Sequence, residues 1–268
     1  QAVLQCRLSN AFNGTRQFNL QAFLYATREF AHLNQDCPEI RWQACGVINL
    51  DTAFSARKER CVDVDLSDYS PRIAQRLDQH ATSEVAGMEV DGASNYLSLG
   101  GWLSPAQLCH AYLQHPNIEL RCNAKVQRLE RDGHAWRVYA HDSELACAPT
   151  VVIANSISAT QLEQSSPLPI VPIRGQVSYL HAAANTANIA GVICGQSYIS
   201  PTFEGLHSVG ASYSKNINDL TLSDKEHQQN IEGIAPHLTN GAVNADSIAG
   251  GRVSVRATTG DRMPIVGP

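Results

Sequence analysis

The chain has 268 residues, of which 43% are hydrophobic and 17% are charged, a balance typical of folded globular proteins and not of disordered ones. The formal net charge of −5 argues against a self-sufficient nucleic-acid binder, because phosphate contacts need clustered Lys and Arg side chains. No apolar run reaches the ~18 residues of a membrane helix. The N-terminus starts at Gln1 without a Met and lacks the basic stretch and apolar run of a signal peptide.

The eight cysteines are spread along the chain, and none forms a C-x-x-C pair. In a chain of this size without a signal peptide, this usage favours free thiols in a reducing cytosol. A zinc site would need clustered Cys and His side chains, which the sequence lacks. The sequence therefore predicts a cytoplasmic protein with no bound metal.

In the first half of the chain, apolar residues at three- and four-residue spacing predict an amphipathic helix over residues 18–33. A strand is predicted over residues 41–50, and one or two helices are predicted over residues 53–86. The next helix has clear start signals, because Ser104 suits the N-cap and Pro105 suits the first helical position.

In the second half, two strands are predicted over residues 118–129 and 135–141, joined by a hairpin at residues 131–133. A third strand is predicted over residues 150–154. Further strand-like segments follow a proline-rich connector and cover residues 174–181, 192–199, 207–213 and 252–256.

A capping box at Ser223 and Glu226 predicts a helix that runs to about residue 238. The pattern as a whole is many strands with few helices, and the strand connections are typical of antiparallel pairing. It predicts an α+β fold rather than a doubly wound parallel sheet.

No Gly-rich phosphate loop, H-E-x-x-H or G-x-S-x-G motif occurs, but three clusters stand out, at residues 172–177, 210–213 and 256. The first places Gly175 inside a strand, which marks either a bulge or the close approach of a ligand or another backbone. In the second, small residues precede Tyr213, as at a packed strand end. Arg256 ends a predicted strand that contains β-branched residues. It is either a surface ion-pair residue or a residue whose guanidinium binds a carboxylate through two hydrogen bonds.

Six segments occur in a fixed order along the chain. They are Gly100-Gly-Trp-Leu-Ser-Pro-Ala-Gln-Leu108, Val151-Val-Ile-Ala-Asn155, Arg174-Gly-Gln-Val-Ser178, Gly210-Ala-Ser-Tyr213, Ser223-Asp-Lys-Glu-His-Gln-Gln-Asn230 and Arg256-Ala-Thr-Thr-Gly-Asp-Arg-Met-Pro-Ile-Val-Gly267. Together they resemble the C-terminal FAD-dependent oxidoreductase part of the MnmC family, bacterial bifunctional enzymes that modify the tRNA wobble uridine. That part is similar to the D-amino-acid, glycine and sarcosine oxidases. The resemblance covers nearly the whole chain, and the combination of segments is specific although no single one is.

The resemblance implies an α+β fold in which an antiparallel-sheet substrate domain is interleaved with part of an FAD-binding dinucleotide-type domain. Residues 1–34, 100–170 and 257–268 would form the FAD-binding side. Residues 35–99 and 171–256 would form the substrate-binding side.

The resemblance also implies FAD as the cofactor and a place for each cofactor-binding residue. Val126 would pass the adenine end of FAD, and Ala154 and Asn155 would lie near its ADP portion. Arg174 and Gln176 would approach the flavin ring.

For the substrate, the resemblance implies the carboxymethylaminomethyl arm of a wobble uridine in tRNA, which is an N-substituted glycine. Arg256 would hold its carboxylate, and Tyr213 is a lesser candidate for a hydroxyl contact. The implied reaction oxidises the carbon between nitrogen and carboxylate, after which hydrolysis releases glyoxylate and leaves the aminomethyl uridine.

The sequence departs from the family because the first strand, its Gly-rich turn and the following helix are missing, as are the segment beyond Gly267 and the preceding methyltransferase domain. We therefore expect a piece truncated at both ends and inactive alone, whose function is that of the parent protein. Two alternatives stay open: a small-molecule glycine or amine oxidase of the same group, which the acidic net charge favours, and a non-catalytic binding module.

Overall fold

The computed structural model describes residues 1–51, 64–215 and 219–268. The chain divides into two compact units. Unit 1 comprises Gln1–His115, Gln176–Ser212 and Leu222–Arg252, and unit 2 comprises Pro116–Gly175, Tyr213–Thr221 and Val253–Pro268. The boundaries of these units differ from those of the FAD-binding and substrate-binding sides expected from the sequence. The functional division stays a prediction.

The described α-helices are α1 (Gly14–Asp36), α2 (Gln79–Ala86), α3 (Pro105–Leu113) and α4 (Asp224–Glu232). The first three begin at a residue whose side chain accepts a hydrogen bond from a backbone N–H of the first turn: Asn13, Asp78 and Ser104 respectively. Such caps satisfy donors that have no partner within the helix. The predicted start of α3 at Ser104 and Pro105 is confirmed.

Thirteen strands are described. They are β1 (Ala2–Leu4), β2 (Val47–Leu50), β3 (Gln75–Leu77), β4 (Ser94–Leu97), β5 (Gly101–Leu103), β6 (Arg128–Asp132), β7 (Ala135–Ala140), β8 (Ser143–Ala148), β9 (Val171–His181), β10 (Val192–Cys194), β11 (Tyr198–Ile199), β12 (Leu206–Gly210) and β13 (Ile248–Thr258).

Eight of these strands form the main sheet, in the order β13-β9-β12-β11-β10-β2-β4-β3. β2 and β10 run parallel, inside an otherwise antiparallel run from β9 to β3. β1 and β5 pair separately as an antiparallel ribbon. The predicted α+β class with antiparallel sheets is confirmed.

The largest hydrophobic core lies in unit 1, where buried Ile48, Ile193 and Val209 of the main sheet pack with Ile231 of α4. β-branched side chains of this kind suit the pleated face of a buried sheet. Since α4 rests on this core, the core also fixes the position of the residues at the start of α4.

In unit 2, β6, β7 and β8 form an antiparallel meander. The predicted hairpin after β6 is confirmed, but strand structure begins only at Arg128, and β8 was not predicted because its polar and small residues show no apolar alternation. The strand predicted over residues 150–154 is wrong: these residues have no strand pairing, although their β-branched composition suits a strand.

Two helix predictions also need correction. Of residues 53–86, the stretch 53–63 lies outside the described residues, and the remainder holds turns, β3 and the short helix α2. The helix expected to reach about residue 238 ends at Glu232 and is followed by a short 3-10 turn, Ala235–His237, because Gly233 and Pro236 disfavour its continuation.

Candidate functional site

The candidate site is centred on Gly175 of β9 and Arg256 of β13, both in unit 2. A Cβ atom added at Gly175 would lie 2.5, 2.6 and 2.7 Å from Nη2, Cζ and Nη1 of Arg256. These nearly equal distances place that Cβ over the flat face of the guanidinium, since an approach in the plane would leave Cζ clearly farther away than the nitrogens. The glycine therefore marks a close approach, and the group that approaches is the guanidinium of Arg256.

Arg174 precedes this glycine and is held from two directions. Its backbone N–H donates to Ser214 O at 2.9 Å, and its own carbonyl accepts from Ser214 N at 3.0 Å. Its buried guanidinium donates through Nε to Asp219 O and through Nη2 to Thr221 O, each at 2.6 Å. Arg174 therefore ties β9 to the loop that contains Asp219 and Thr221.

That loop has its own internal bonds. The carboxylate of Asp219 accepts from Thr221 Oγ1 at 2.7 Å and from Thr221 N at 2.8 Å, and these bonds hold the pKa of Asp219 below its usual value. The ionised carboxylate and the two carbonyls that receive Arg174 together fix the conformation of residues 219–221.

A β-bulge lies beside Arg174. Gly210 pairs with Val177 and Ser214 pairs with Arg174, so four residue steps on one strand face three on the other. The extra residue falls where Ser212 Oγ accepts from Gln176 N at 2.8 Å. Bulges of this kind change where side chains point and are common next to active sites. Tyr213, inside the bulge, is 59% exposed.

Gln176 belongs to unit 1 and binds the residue that precedes α4. Its side-chain Oε1 accepts from Ser223 N, and its Nε2 donates to Ser223 O, both at 2.8 Å. Ser223 precedes α4 and its side chain makes no capping bond, so the Ser223 half of the predicted capping box is wrong, and the Gln176 amide binds the backbone of Ser223. Asn230 of α4 donates to Gln176 O and to Ser178 Oγ, which joins β9 to the helix.

The turn after Arg256 is closed by Asp261. Its Oδ1 accepts from Thr259 Oγ1 at 2.8 Å and from Met263 N at 3.0 Å, and the Met263 bond and then the Thr259 bond lower the pKa of Asp261. Thr258 Oγ1 donates to Val171 O at 2.7 Å. The end of β13 is therefore attached to the start of β9, a few residues from Gly175.

The residues predicted for the adenine and ADP ends of FAD are also in unit 2. Val126 is half-buried in an extended segment before β6, and Ala154 and Asn155 are exposed at the end of residues 150–155. Exposed short side chains and open backbone suit a ligand that lies against the chain. Their roles stay predictions, as do those of Arg174, Gln176, Tyr213 and Arg256.

Sequence reasoning missed the partners that position these side chains. Ser212 lies in the cluster at residues 210–213, but its bond to Gln176 was not predicted, and Ser214 and the loop at Asp219 and Thr221 were not singled out. The Asp-x-Thr pattern of that loop is a usable signal, because aspartate side chains commonly accept a bond from the backbone two residues on.

Within the described ranges, none of the helices combines the length and apolar character needed to cross a bilayer.

In this structure an antiparallel main sheet carries an arginine whose guanidinium lies flat on a strand glycine. The fold is similar to that of solved glycine oxidases. A glycine oxidase from Bacillus cereus ATCC 14579 superposes with a TM-score of 0.80 over 99% of this chain and 75% of that chain, at 14% identity.

The family described as FAD dependent oxidoreductase matches residues 7–268, and the chain belongs to that family. It is therefore an oxidoreductase domain of an FAD-dependent class. Among curated relatives, it is similar to "tRNA 5-methylaminomethyl-2-thiouridine biosynthesis bifunctional protein MnmC" of Stutzerimonas stutzeri strain A1501, at 34% identity over 100% of this chain and 41% of that protein. The protein of the same name from Saccharophagus degradans strain 2-40 is also 34% identical, over 100% of this chain and 38% of that protein. The chain thus spans about two fifths of the length of these relatives.

Proposed function

We propose that this chain is the oxidoreductase part of a tRNA-modifying enzyme. It removes the carboxymethyl group from 5-carboxymethylaminomethyl-(2-thio)uridine at the wobble position, giving the aminomethyl uridine and glyoxylate. Support comes from the relatives, which share a tRNA-modification name and align with all of this chain. A tRNA substrate implies a cytoplasmic location.

The observation that carries the proposal is the pose of Arg256 over Gly175. A guanidinium offers its N–H donors in one plane and matches the two oxygens of a carboxylate. Gly175 meets the face of that plane, where there are no donors. The contact therefore orients the fork without using the bonds that would hold a substrate carboxylate.

The chemistry follows from a substrate held in this way. Bound FAD supplies a two-electron hydride acceptor. The CH₂ between the amine nitrogen and the carboxylate loses a hydride and the nitrogen loses a proton, which leaves an imine. Water then adds to the imine carbon and the C–N bond breaks, so glyoxylate leaves and the aminomethyl uridine remains. Arg256 contributes by fixing the reacting carbon, and such positioning can lower the barrier by several kcal/mol.

For the cofactor, we propose that Val126 contacts the adenine and that Ala154 and Asn155 contact the ADP portion. Two donors of the Arg174 guanidinium bind loop carbonyls and the Gln176 amide binds Ser223. We therefore assign these two residues to the flavin side through their backbone and through the strand position that they fix.

A second candidate is an oxidase of free glycine-like amines. The net charge of −5 and the match to a glycine oxidase fold favour it, because a tRNA-binding surface is usually basic. The two candidates share the Arg256 site and differ in what is attached to the substrate nitrogen.

The test uses the FAD-loaded holoenzyme that carries this chain, with flavin absorbance to confirm loading. Glyoxylate is measured after mixing with tRNA containing carboxymethylaminomethyluridine, with unmodified tRNA, and with free glycine or sarcosine. We expect release from the modified tRNA alone. Release only from the free amines supports the second candidate. No release from any of them, in flavin-loaded protein, contradicts both and leaves a non-catalytic binding module.

A further inference from the structure

The backbone conformation at position 175 does not require a glycine. It lies inside β9 and its φ is outside the left-handed range that favours glycine. A Cβ at this position would meet all three terminal guanidinium atoms of Arg256 at 2.7 Å or less, where ordinary contacts begin near 3.4 Å. A side chain at this position would therefore displace the Arg256 guanidinium, which is the flexible end of a long, exposed side chain.

We propose that Gly175 is a positioning residue for Arg256: its missing side chain provides the flat surface that sets the height and tilt of the guanidinium toward the substrate carboxylate. This inference rests on the proposed function of Arg256 as carboxylate anchor. It adds a second residue, which acts through Arg256, to the determinants of substrate binding.

The strand around Gly175 is fixed well enough to act as a rigid surface. In a strand, neighbouring side chains point to opposite faces, so Arg174 and Gln176 project away from the face that Gly175 presents. Arg174 is bound to Ser214, Asp219 and Thr221, and Gln176 is bound to Ser223. β9 therefore cannot easily retreat if a methyl group is added at Gly175.

β13 is attached on the other side of the contact. Thr258 Oγ1 donates to Val171 O, and Gly251 lies against Val177 O, where an added Cβ would approach to 2.5 Å. Contacts before and after Arg256 hold the two strands together. The adjustment to a methyl group must therefore come from the Arg256 side chain, by a shift of about 1 Å, and a misplacement of that size can cost ~100-fold in rate.

The experiment compares Gly175→Ala, Arg256→Ala and the double variant in the FAD-loaded holoenzyme, with glyoxylate release from carboxymethylaminomethyluridine-containing tRNA as readout. We expect Gly175→Ala to lower kcat/KM about 10- to 100-fold, and to add little in the Arg256→Ala background. Gly14→Ala is the matched control, because an added Cβ there meets nothing within 4 Å, and it should leave kcat/KM unchanged.

A crystal structure of the Gly175→Ala variant gives a readout independent of activity, and we expect the Arg256 guanidinium to have moved. If Gly175→Ala does not fold, the double variant should fold, because removing the guanidinium restores the space. Unchanged kcat/KM in folded Gly175→Ala, an equal loss in both backgrounds, or a double variant that stays unfolded would overturn the inference. If Arg256→Ala alone retains normal KM and kcat, the anchor role in the proposed function fails instead.

Discussion

The side-chain amide of Gln176 bonds to both backbone groups of Ser223, accepting from its N–H and donating to its carbonyl at 2.8 Å each. A residue on β9 thus holds the residue that precedes α4. The same strand carries Gly175 one position earlier. The Gln176 amide therefore ties α4 to β9 within unit 1.

Replacing Gln176 with Leu should destabilise the fold by about 1–3 kcal/mol, because the backbone N–H of Ser223 loses its acceptor, whereas Ser223 O keeps its bonds from Glu226 N and His227 N. Urea unfolding followed by circular dichroism measures the change. Gln228→Leu is the control, since Gln228 is exposed on α4 and donates a hydrogen bond to Glu232. Equal midpoints for the two variants would show that the bonds between Gln176 and Ser223 contribute nothing to stability.

Stability should depend on the protonation of His207. This histidine is fully buried; its Nδ1 lies 2.8 Å from Ser200 O and its Nε2 lies 3.0 Å from Thr186 Oγ1. Burial lowers its pKa below 6.5, so the unfolded chain binds the proton more readily. The free energy of unfolding should therefore be highest above pH 6.5, where His207 is neutral in both states. It should fall as the pH drops below 6.5 toward the lowered pKa of His207 in the folded protein.

Unfolding midpoints between pH 5 and 8 measure this dependence. His207→Gln should flatten the slope, whereas substitution of the exposed His110 on α3 should leave it as it is. A slope that is identical in the wild type and in His207→Gln would contradict the assignment to His207.

The cysteines should differ sharply in reactivity. Burial raises the pKa of Cys194 to about 12 and that of Cys6 to about 11, while Cys109, Cys122 and Cys147 are exposed thiols. Because the thiolate is the reactive form, iodoacetamide at pH 8 should label Cys109, Cys122 and Cys147 before Cys6 and Cys194. Peptide mass spectrometry of native and urea-treated protein reads out each site. Labelling of native Cys194 as fast as Cys147 would show that the core around it opens.

The parts of the fold that were predictable have local signals. The start of α3 follows from Ser104 and Pro105, and the helix over residues 18–33 follows from apolar spacing; both are confirmed by α3 and α1. The strand predicted at residues 150–154 failed for a nonlocal reason. Its β-branched residues suit an extended chain, but strand structure also needs a neighbour that pairs with it.

In the site, too, the sequence showed the local features but not the contacts between distant residues. The sequence marked Gly175 and Arg256 as unusual, yet it left open whether the glycine is a bulge or a close approach, because 81 residues separate the two positions along the chain. The bulge exists, but it lies on the neighbouring strand around Ser212. The two hydrogen bonds between Gln176 and Ser223 have no local signal either, since the two residues are far apart along the chain.

The central claim is that the planar fork of Arg256 holds a substrate carboxylate. It is tested most directly by kcat/KM for glyoxylate release from carboxymethylaminomethyluridine-containing tRNA, in flavin-loaded Arg256→Lys holoenzyme. Lys keeps the charge but cannot make the paired bonds, and the loss of one charged hydrogen bond of about 1.5–3 kcal/mol predicts a decrease of roughly 10- to 100-fold. Arg252→Lys, four residues earlier on β13, should stay close to wild type. Wild-type kcat/KM in Arg256→Lys would contradict the account.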